Sequence, residues 1–254
     1  MSADRVFTGR IPILGEPRQG GGEGEPGEPG PLFLLSDSQL LFWSDDDGHF
    51  IDRIAAYTGR GAPRAAYLGA SNGDHPDFYS IFLAAIEGIG PAECRMIPAV
   101  PSPEELAFVE RADLILLAGG DVGVGWRAFE ASGMRDVVDR RYHAGAVLVG
   151  VSAGAVQLGT AGWPEGRPDA AFGTWGLAPF VVDAHAEDED WAQLRAVVRA
   201  RGDGARGIGI PRGGGLVYHA DGTLEAVRHP LTELAVRGEE LVSAVIFPPA
   251  QTER

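Results

Sequence analysis

Residues 146–149, Ala-Val-Leu-Val, run directly into Gly150-Val151-Ser152-Ala153-Gly154 and then into an Ala/Val/Leu stretch. A short apolar strand followed by G-x-S-x-G and a helix-like segment is the pattern of a nucleophile elbow. The backbone turns so tightly there that only small neighbours fit, and the serine hydroxyl is lifted clear of the sheet. Ser152 is therefore the candidate nucleophile, and the Ala153 amide, at the start of the following helix, is a candidate oxyanion donor. The competing reading is a Gly-rich turn with a buried serine; the strand and helix on either side favour the functional one.

Working outward, short apolar runs at 32–35, 65–68, 94–100, 113–118 and 146–151 read as strands. The segments between them, around 50–57, 78–86, 103–111 and 126–142, carry apolar residues at helical spacing. This β-α alternation predicts a flavodoxin-like α/β fold, with a mostly parallel sheet covered by helices on both faces. Ser102-Pro103-Glu104-Glu105 has the N-cap, the first-turn proline and the acids of a helix start. After Ile208 the texture changes, and Ala220-Asp221-Gly222 punctuates two β-like runs, so antiparallel strands are expected near the C-terminus. Residues 1–30 read as an extension: a segment at 6–14 suited to an edge strand because of Pro12, then a Gly/Glu/Pro stretch at 16–30 expected to be a flexible loop. Residues 31–254 are expected to form a single α/β domain.

Composition excludes several functions. The formal net charge of −15, from 21 Lys plus Arg against 36 Asp plus Glu, argues against nucleic acid and membrane as partners. All the basic residues are arginine, which removes Schiff-base chemistry and the Walker lysine. One cysteine, Cys94, makes no intrachain disulfide. With no apolar run of membrane-spanning length and no leader pattern, the chain reads as a cytoplasmic protein. A homodimer is left open.

Two further elements complete a candidate site. Ala118-Gly119-Gly120-Asp121 follows a strand, and such a turn can offer backbone N–H groups at the end of the sheet where ligands bind; it is equally a helix entry capped by Asp121. Of six histidines, His185 ends the run PFVVDAH downstream of the elbow, in the Ser-then-His order of α/β serine hydrolases. One histidine among scattered carboxylates is a poor zinc site, so neither metal nor other cofactor is expected.

In combination, LILLAGGD (114–121), RYHAGAVLVGVSAGA (141–155), VVDAH (181–185) and GIGI (207–210) resemble the dipeptidase E and cyanophycinase family of serine peptidases, in order of elements from about 32 to 227. That resemblance implies the class I glutamine-amidotransferase-like fold, Ser152 as nucleophile, His185 as its base, and an oxyanion hole from Gly120 or Asp121 with Ala153. Members cleave beside aspartate, either in an N-terminal aspartyl dipeptide or in the β-aspartyl-arginine link of cyanophycin. A glutamine amidotransferase would need cysteine at the elbow, and Cys94 lies in another strand.

Three departures from the family pattern stand out. Val122 follows Gly-Gly-Asp where cyanophycinase-like sequences have glutamine. Acids, Ala186-Glu187-Asp188-Glu189-Asp190, follow the histidine where those sequences have arginines. Pro211-Arg212-Gly213 follows GIGI where they have the glutamate that orients the histidine. Asp183 and, by resemblance to dipeptidase E-like members, Asp169 are the candidates for that acid, unless none is present. Glu187, Asp188 and Asp190 are expected to line the pocket and favour a cationic, Arg-containing substrate, although acids at a helix start need no such role. The expected function is hydrolysis of an amide bond in a small peptide or modified amino acid through a Ser-His acyl-enzyme. The alternative is a binding or regulatory member of the same fold, impaired by the missing acid.

Overall fold

The structure is a computed structural model that describes residues 5–9, 11–12, 29–46, 48–91 and 93–249. Its centre is a parallel sheet of five strands: β3 (Leu32–Leu35), β4 (Arg64–Leu68), β5 (Glu93–Ile97), β6 (Leu114–Leu117) and β7 (Val147–Val151). Two further strands extend it antiparallel, β10 (Gly215–Tyr218) and β11 (Thr223–Val227), and a short edge strand, β2 (Ile11–Pro12), pairs with β11, giving the order β2-β11-β10-β3-β7-β6-β4-β5. β7 thus lies between β3 and β6. Near-continuous apolar strands such as LFLL and LILL belong in such a sheet because both faces are covered. Leu32 and Leu34 point into one core with Ile115, Leu117 and Leu148, while Phe33 and Leu35 point into a second with Leu114, Leu116 and Val149. Each such side chain contributes about 1.5–3 kcal/mol by leaving water.

Helices α1 (Phe50–Ala56) and α2 (Pro76–Ile86) cover the second of these cores; α3 (Pro103–Val109), α4 (Val122–Ser132) and α5 (Met134–His143) cover the first. Ser102 and Glu105 close a reciprocal capping box at α3. The pattern at 126–142, read as one helical stretch, is two helices. Gly133 adopts φ 74°, ends α4 and starts α5. The strand expected over 94–100 stops at Ile97, before Pro98.

The remaining strands form a second sheet with order β1-β13-β12-β9-β8, from β1 (Arg5–Thr8), β8 (Val181–Ala184), β9 (Arg206–Ile210), β12 (Leu231–Arg237) and β13 (Glu240–Phe247). One face joins the first core through Val182, Ile208 and Ile210, and the other is covered by α7 (Ala192–Ala200). The glycines of the GIGI stretch are explained here: a Cβ at Gly209 would lie 2.5 Å from the Trp191 ring, and one at Gly207 2.5 Å from Val198. The segment at 6–14 is therefore divided between edge strands of two sheets, and Pro12 occupies an edge. Of the stretch at 16–30 expected to be a flexible loop, residues 16–28 lie outside the described residues. Among the described residues no helix is long and apolar enough to cross a membrane.

Candidate active site

Ser152 follows the last residue of β7, with its amide bonded to the Leu35 carbonyl at 2.8 Å and its backbone at φ 49°, ψ −109°. This is a conformation that L-residues adopt at a cost of about 1–3 kcal/mol, sustained by the surrounding packing. The two glycines of the motif permit it. A Cβ at Gly150 would lie 2.6 Å from the Ala155 nitrogen, and one at Gly154 2.2 Å from the Leu117 carbonyl oxygen. The six residues of α6 (Ala153–Leu158) that follow are all buried, so the elbow is anchored in the core.

His185 comes from the second sheet. β8 ends at Ala184, His185 turns with φ 48°, and its amide bonds to the Ile210 carbonyl at 2.9 Å. The ring lies with Nε2 2.9 Å from Ser152 Oγ. A residue in each sheet thus meets its partner across α6, which packs against β7 and β8. Hydrogen-bond contact between nucleophile and base is the geometry that proton transfer from serine requires.

The Gly-Gly turn lies alongside. A Cβ on Gly119 would be 3.3 Å from Ser152 Cβ, and one on Gly120, at φ 134°, would be 2.0 Å from the Ser71 carbonyl oxygen. Only glycine fits at 120; at 119 a side chain would crowd Ser152 by a few tenths of an ångström. That Ser71 oxygen accepts the Asp121 amide at 2.8 Å, and the Asp121 side chain accepts from the Val124 amide at 2.7 Å as the cap of α4. Asp121 is therefore a structural residue and not an oxyanion donor. The amides of Gly120 and Ala153 donate to no backbone carbonyl among the described residues.

The orienting acid expected from the sequence is not beside the imidazole. Residues 183 and 185 would share a face of a continuous strand, but the positive φ at His185 ends the strand and breaks that relation. Asp183 Oδ1 accepts the Ala184 amide at 2.9 Å, and Oδ2 is buried without a partner. Burial pushes this carboxyl up to about 6, with the nearby Glu189 charge adding to the rise. Asp169 is exposed and bound by Arg167 at 2.9 and 3.0 Å, a pairing that lowers its pKa. Among the described residues no carboxylate hydrogen bonds to His185.

The acids after the histidine are also elsewhere than expected. Glu187 Oε1 accepts the Arg212 amide at 3.0 Å, the Arg212 guanidinium is 3.5 Å from Asp188, and Asp190 pairs with Arg195 at 3.1 Å. None of Glu187, Asp188 and Asp190 lines the cavity at Ser152. Two of the departures noted above are thus one exchange of charge: acids follow the histidine, and an arginine after the GIGI strand faces them. A pairing between residues 25 positions apart is invisible to a reading of either segment alone.

The cavity at Ser152 and His185 has a volume of about 330 Å³. Its walls are Ser36 and Asp37 after β3, Leu41, the Gly-Gly turn, and the α2 residues Phe78, Ile81 and Phe82. Three contributors were not singled out from the sequence. Ser71, in the turn after β4, holds the Gly-Gly turn. Gln157, fully buried on α6, donates from Nε2 to the Val122 carbonyl at 2.9 Å and to Ser71 Oγ at 3.1 Å. Asp37 accepts the Gly213 amide at 2.7 Å and the Gln39 amide at 2.9 Å. Ser71 and Asp37 share a signal of position, small polar residues just beyond the carboxyl ends of parallel strands, where ligands of such sheets bind; Gln157, inside α6, has none.

Two solved structures share this fold. A peptidase from an acI-B1 Actinobacterium superposes with a TM-score of 0.63 at 15% identity, over 89% of this chain and 97% of its own. A protein described as a candidate peptidase E from Listeria monocytogenes EGD-e gives a TM-score of 0.54 at 15% identity, over 85% of this chain and 98% of its own. At such identity these show the shared fold. No curated protein sequence matches the chain. The model of peptidase family S51 matches residues 32–225, a span that contains the elbow, the Gly-Gly turn and His185, and the chain belongs to that family.

Proposed function

We propose that this S51 peptidase cleaves an amide bond of a short peptide through an acyl-enzyme on Ser152. The observation that carries the proposal is the 2.9 Å contact between Ser152 Oγ and His185 Nε2. In the proposed cycle, Nε2 takes the hydroxyl proton as Oγ attacks the scissile carbonyl carbon, and the amides of Gly120 and Ala153 receive the negative charge on its oxygen. The same proton passes from Nε2 to the leaving nitrogen as the C–N bond breaks. Water, deprotonated by the imidazole, then attacks the ester and releases the acid, returning Ser152 and His185 to their starting states. The cavity at Ser152, about 330 Å³, holds one side chain with its peptide unit, which is in keeping with a small peptide as substrate. The free Cys94 is in keeping with a cytoplasmic site of action.

A second reading, a binding member of the family with catalysis impaired, draws on the lack of a carboxylate partner for His185. Losing the orienting acid of a serine triad costs on the order of 10⁴ in turnover. A fluorophosphonate probe separates the two. The hydrolase reading expects covalent labelling of the wild-type protein and none of Ser152→Ala; folded wild-type protein that does not label would support the binding reading.

A further inference from the structure

The cavity walls bear on the substrate in a way that the acidic run after His185 does not. The cavity that Ser152 and His185 line is bordered also by Leu41, Tyr67, Phe78, Ile81, Phe82 and Leu116. Among the described residues no arginine lines the cavity, and the sequence holds no lysine at all. Its one carboxylate, Asp37, is engaged: Oδ1 accepts the Gln39 amide, and Oδ2 accepts the Gly213 amide and the Ser36 hydroxyl at 2.7 and 3.1 Å. The Tyr67 hydroxyl accepts a hydrogen bond from Asn72 at 2.8 Å. An acidic side chain entering here would lose water, find no arginine or lysine to pair with, and lie near a carboxylate already bearing negative charge. A guanidinium would find Asp37 with three donors already on it.

The mouth of the cavity carries a second mark of an apolar ligand. Phe78 and Ile81, successive α2 residues on the cavity side, are 51% and 38% exposed. Large apolar side chains left open beside a nucleophile acquire a partner when an apolar group is bound. A volume of about 330 Å³ is near the lower end of ligand cavities, roughly 300–1,000 Å³, and suits one large side chain with its peptide unit.

We infer that the cavity is a specificity pocket for an aromatic or branched aliphatic side chain flanking the scissile bond, so that this chain prefers short apolar peptides to aspartyl or arginyl ones. The inference rests on the proposed Ser152 chemistry for its orientation toward a scissile bond, and on the cavity walls for its choice of side chain. Phe78 and Ile81 are the specificity-determining residues at the rim.

The test uses matched dipeptides X-Ala and Ala-X with X as Phe, Leu, Asp or Arg. In the better of the two positions, kcat/KM for Phe and Leu is expected to exceed that for Asp and Arg by about tenfold or more, the discrimination a well-formed apolar pocket gives. Aspartyl or arginyl dipeptides cleaved as fast or faster would overturn the pocket assignment while leaving the Ser152 mechanism standing. If the chain cleaves none of them, fluorophosphonate labelling decides the hydrolase reading, and calorimetric titration of the same dipeptides decides the pocket. Phe and Leu peptides binding about tenfold more tightly than Asp peptides would uphold it; equal binding, the reverse order or no binding would overturn it. Ile81→Arg and Phe78→Arg place a cation at the partly exposed rim and are expected to shift the preference toward aspartyl dipeptides. An unchanged order in both folded variants would count against the assignment.

Discussion

The Ser71 carbonyl oxygen occupies the space that a side chain on Gly120 would need: a Cβ there would come within 2.0 Å of it, and the same oxygen holds the Asp121 amide at 2.8 Å. One carbonyl in the turn after β4 thereby fixes the backbone that faces Ser152. Replacing Gly120 by alanine must move either the turn or Ser71, and the φ of 134° is itself strained for alanine. Gly120→Ala is expected to slow fluorophosphonate labelling by about 100-fold, the usual effect of losing an oxyanion donor. It should also destabilise the fold by about 2 kcal/mol. Labelling at the wild-type rate would remove Gly120 from the oxyanion hole.

Gln157 joins the elbow helix to that same turn. With its amide held by Ser71 Oγ and the Val122 carbonyl, Gln157→Leu leaves both groups without this partner in a buried place. The expected cost is about 1–3 kcal/mol in urea unfolding. Because the lost bonds support the turn next to Ser152, slower labelling should accompany the lower midpoint. A variant as stable as the parent would mean that the network carries no net energy.

Asp183 tests whether the imidazole is oriented by the nearest acid in sequence. Since its carboxylate makes no bond to His185, Asp183→Asn is expected to keep labelling and turnover within a few-fold of wild type, whereas an orienting acid would cost about 10⁴. Its folded pKa, pushed up to about 6 by burial, lies above the unfolded value of about 3.9. The contribution of this group to stability is therefore full below about pH 4 and lost as pH rises through about 6. Asp183→Asn should raise the melting temperature at pH 8 and leave it little changed at pH 4.

Glu225 behaves in the opposite sense. It lies on β11, where Arg53 of α1 contacts it at 2.7 Å and His219 Nε2 lies 3.0 Å away. Burial alone would raise its pKa, but the bonds and charges of His219 and Arg53 outweigh that and hold it at about 2. With an unfolded value of about 4.3, its contribution is present above that pH and is lost as pH falls through about 2. Glu225→Gln is expected to cost about 2 kcal/mol at pH 7, less than a fully buried pair because Arg53 is partly exposed. Its unfolding curve should be flatter than that of wild type between pH 5 and 2. Equal slopes over that range would show that Glu225 is not the titrating group.

What could be read directly from the chain has local causes. Alternating strand and helix signals placed the five parallel strands because burial on both faces forces continuous apolar runs. The antiparallel pair around Ala220-Asp221-Gly222 was legible through its turn residues. G-x-S-x-G marked the elbow because two of its positions have no room for a side chain, as the contacts of Gly150 and Gly154 show. His185 was reached from its place at the end of a strand downstream of the serine.

Other features depended on residues distant in the chain. A φ of 48° at His185 separates its ring from Asp183 although the two are neighbours in sequence. Arg212 holds acids 24 and 25 positions away, its guanidinium beside Asp188 and its amide on Glu187, so a charged run that resembled a pocket wall is engaged outside the cavity. The helical pattern over 126–142 has no feature in its periodicity that breaks it; the left-handed turn at Gly133 does. Sequence alone determined the parallel strands and the tight strand-to-helix turn at Ser152, because those follow from short-range sterics and burial period. Only the tertiary structure decided that His185 meets Ser152, which amides remain available, where the acids lie and that apolar side chains line the cavity at Ser152, because each of these depends on groups brought together from different strands and helices.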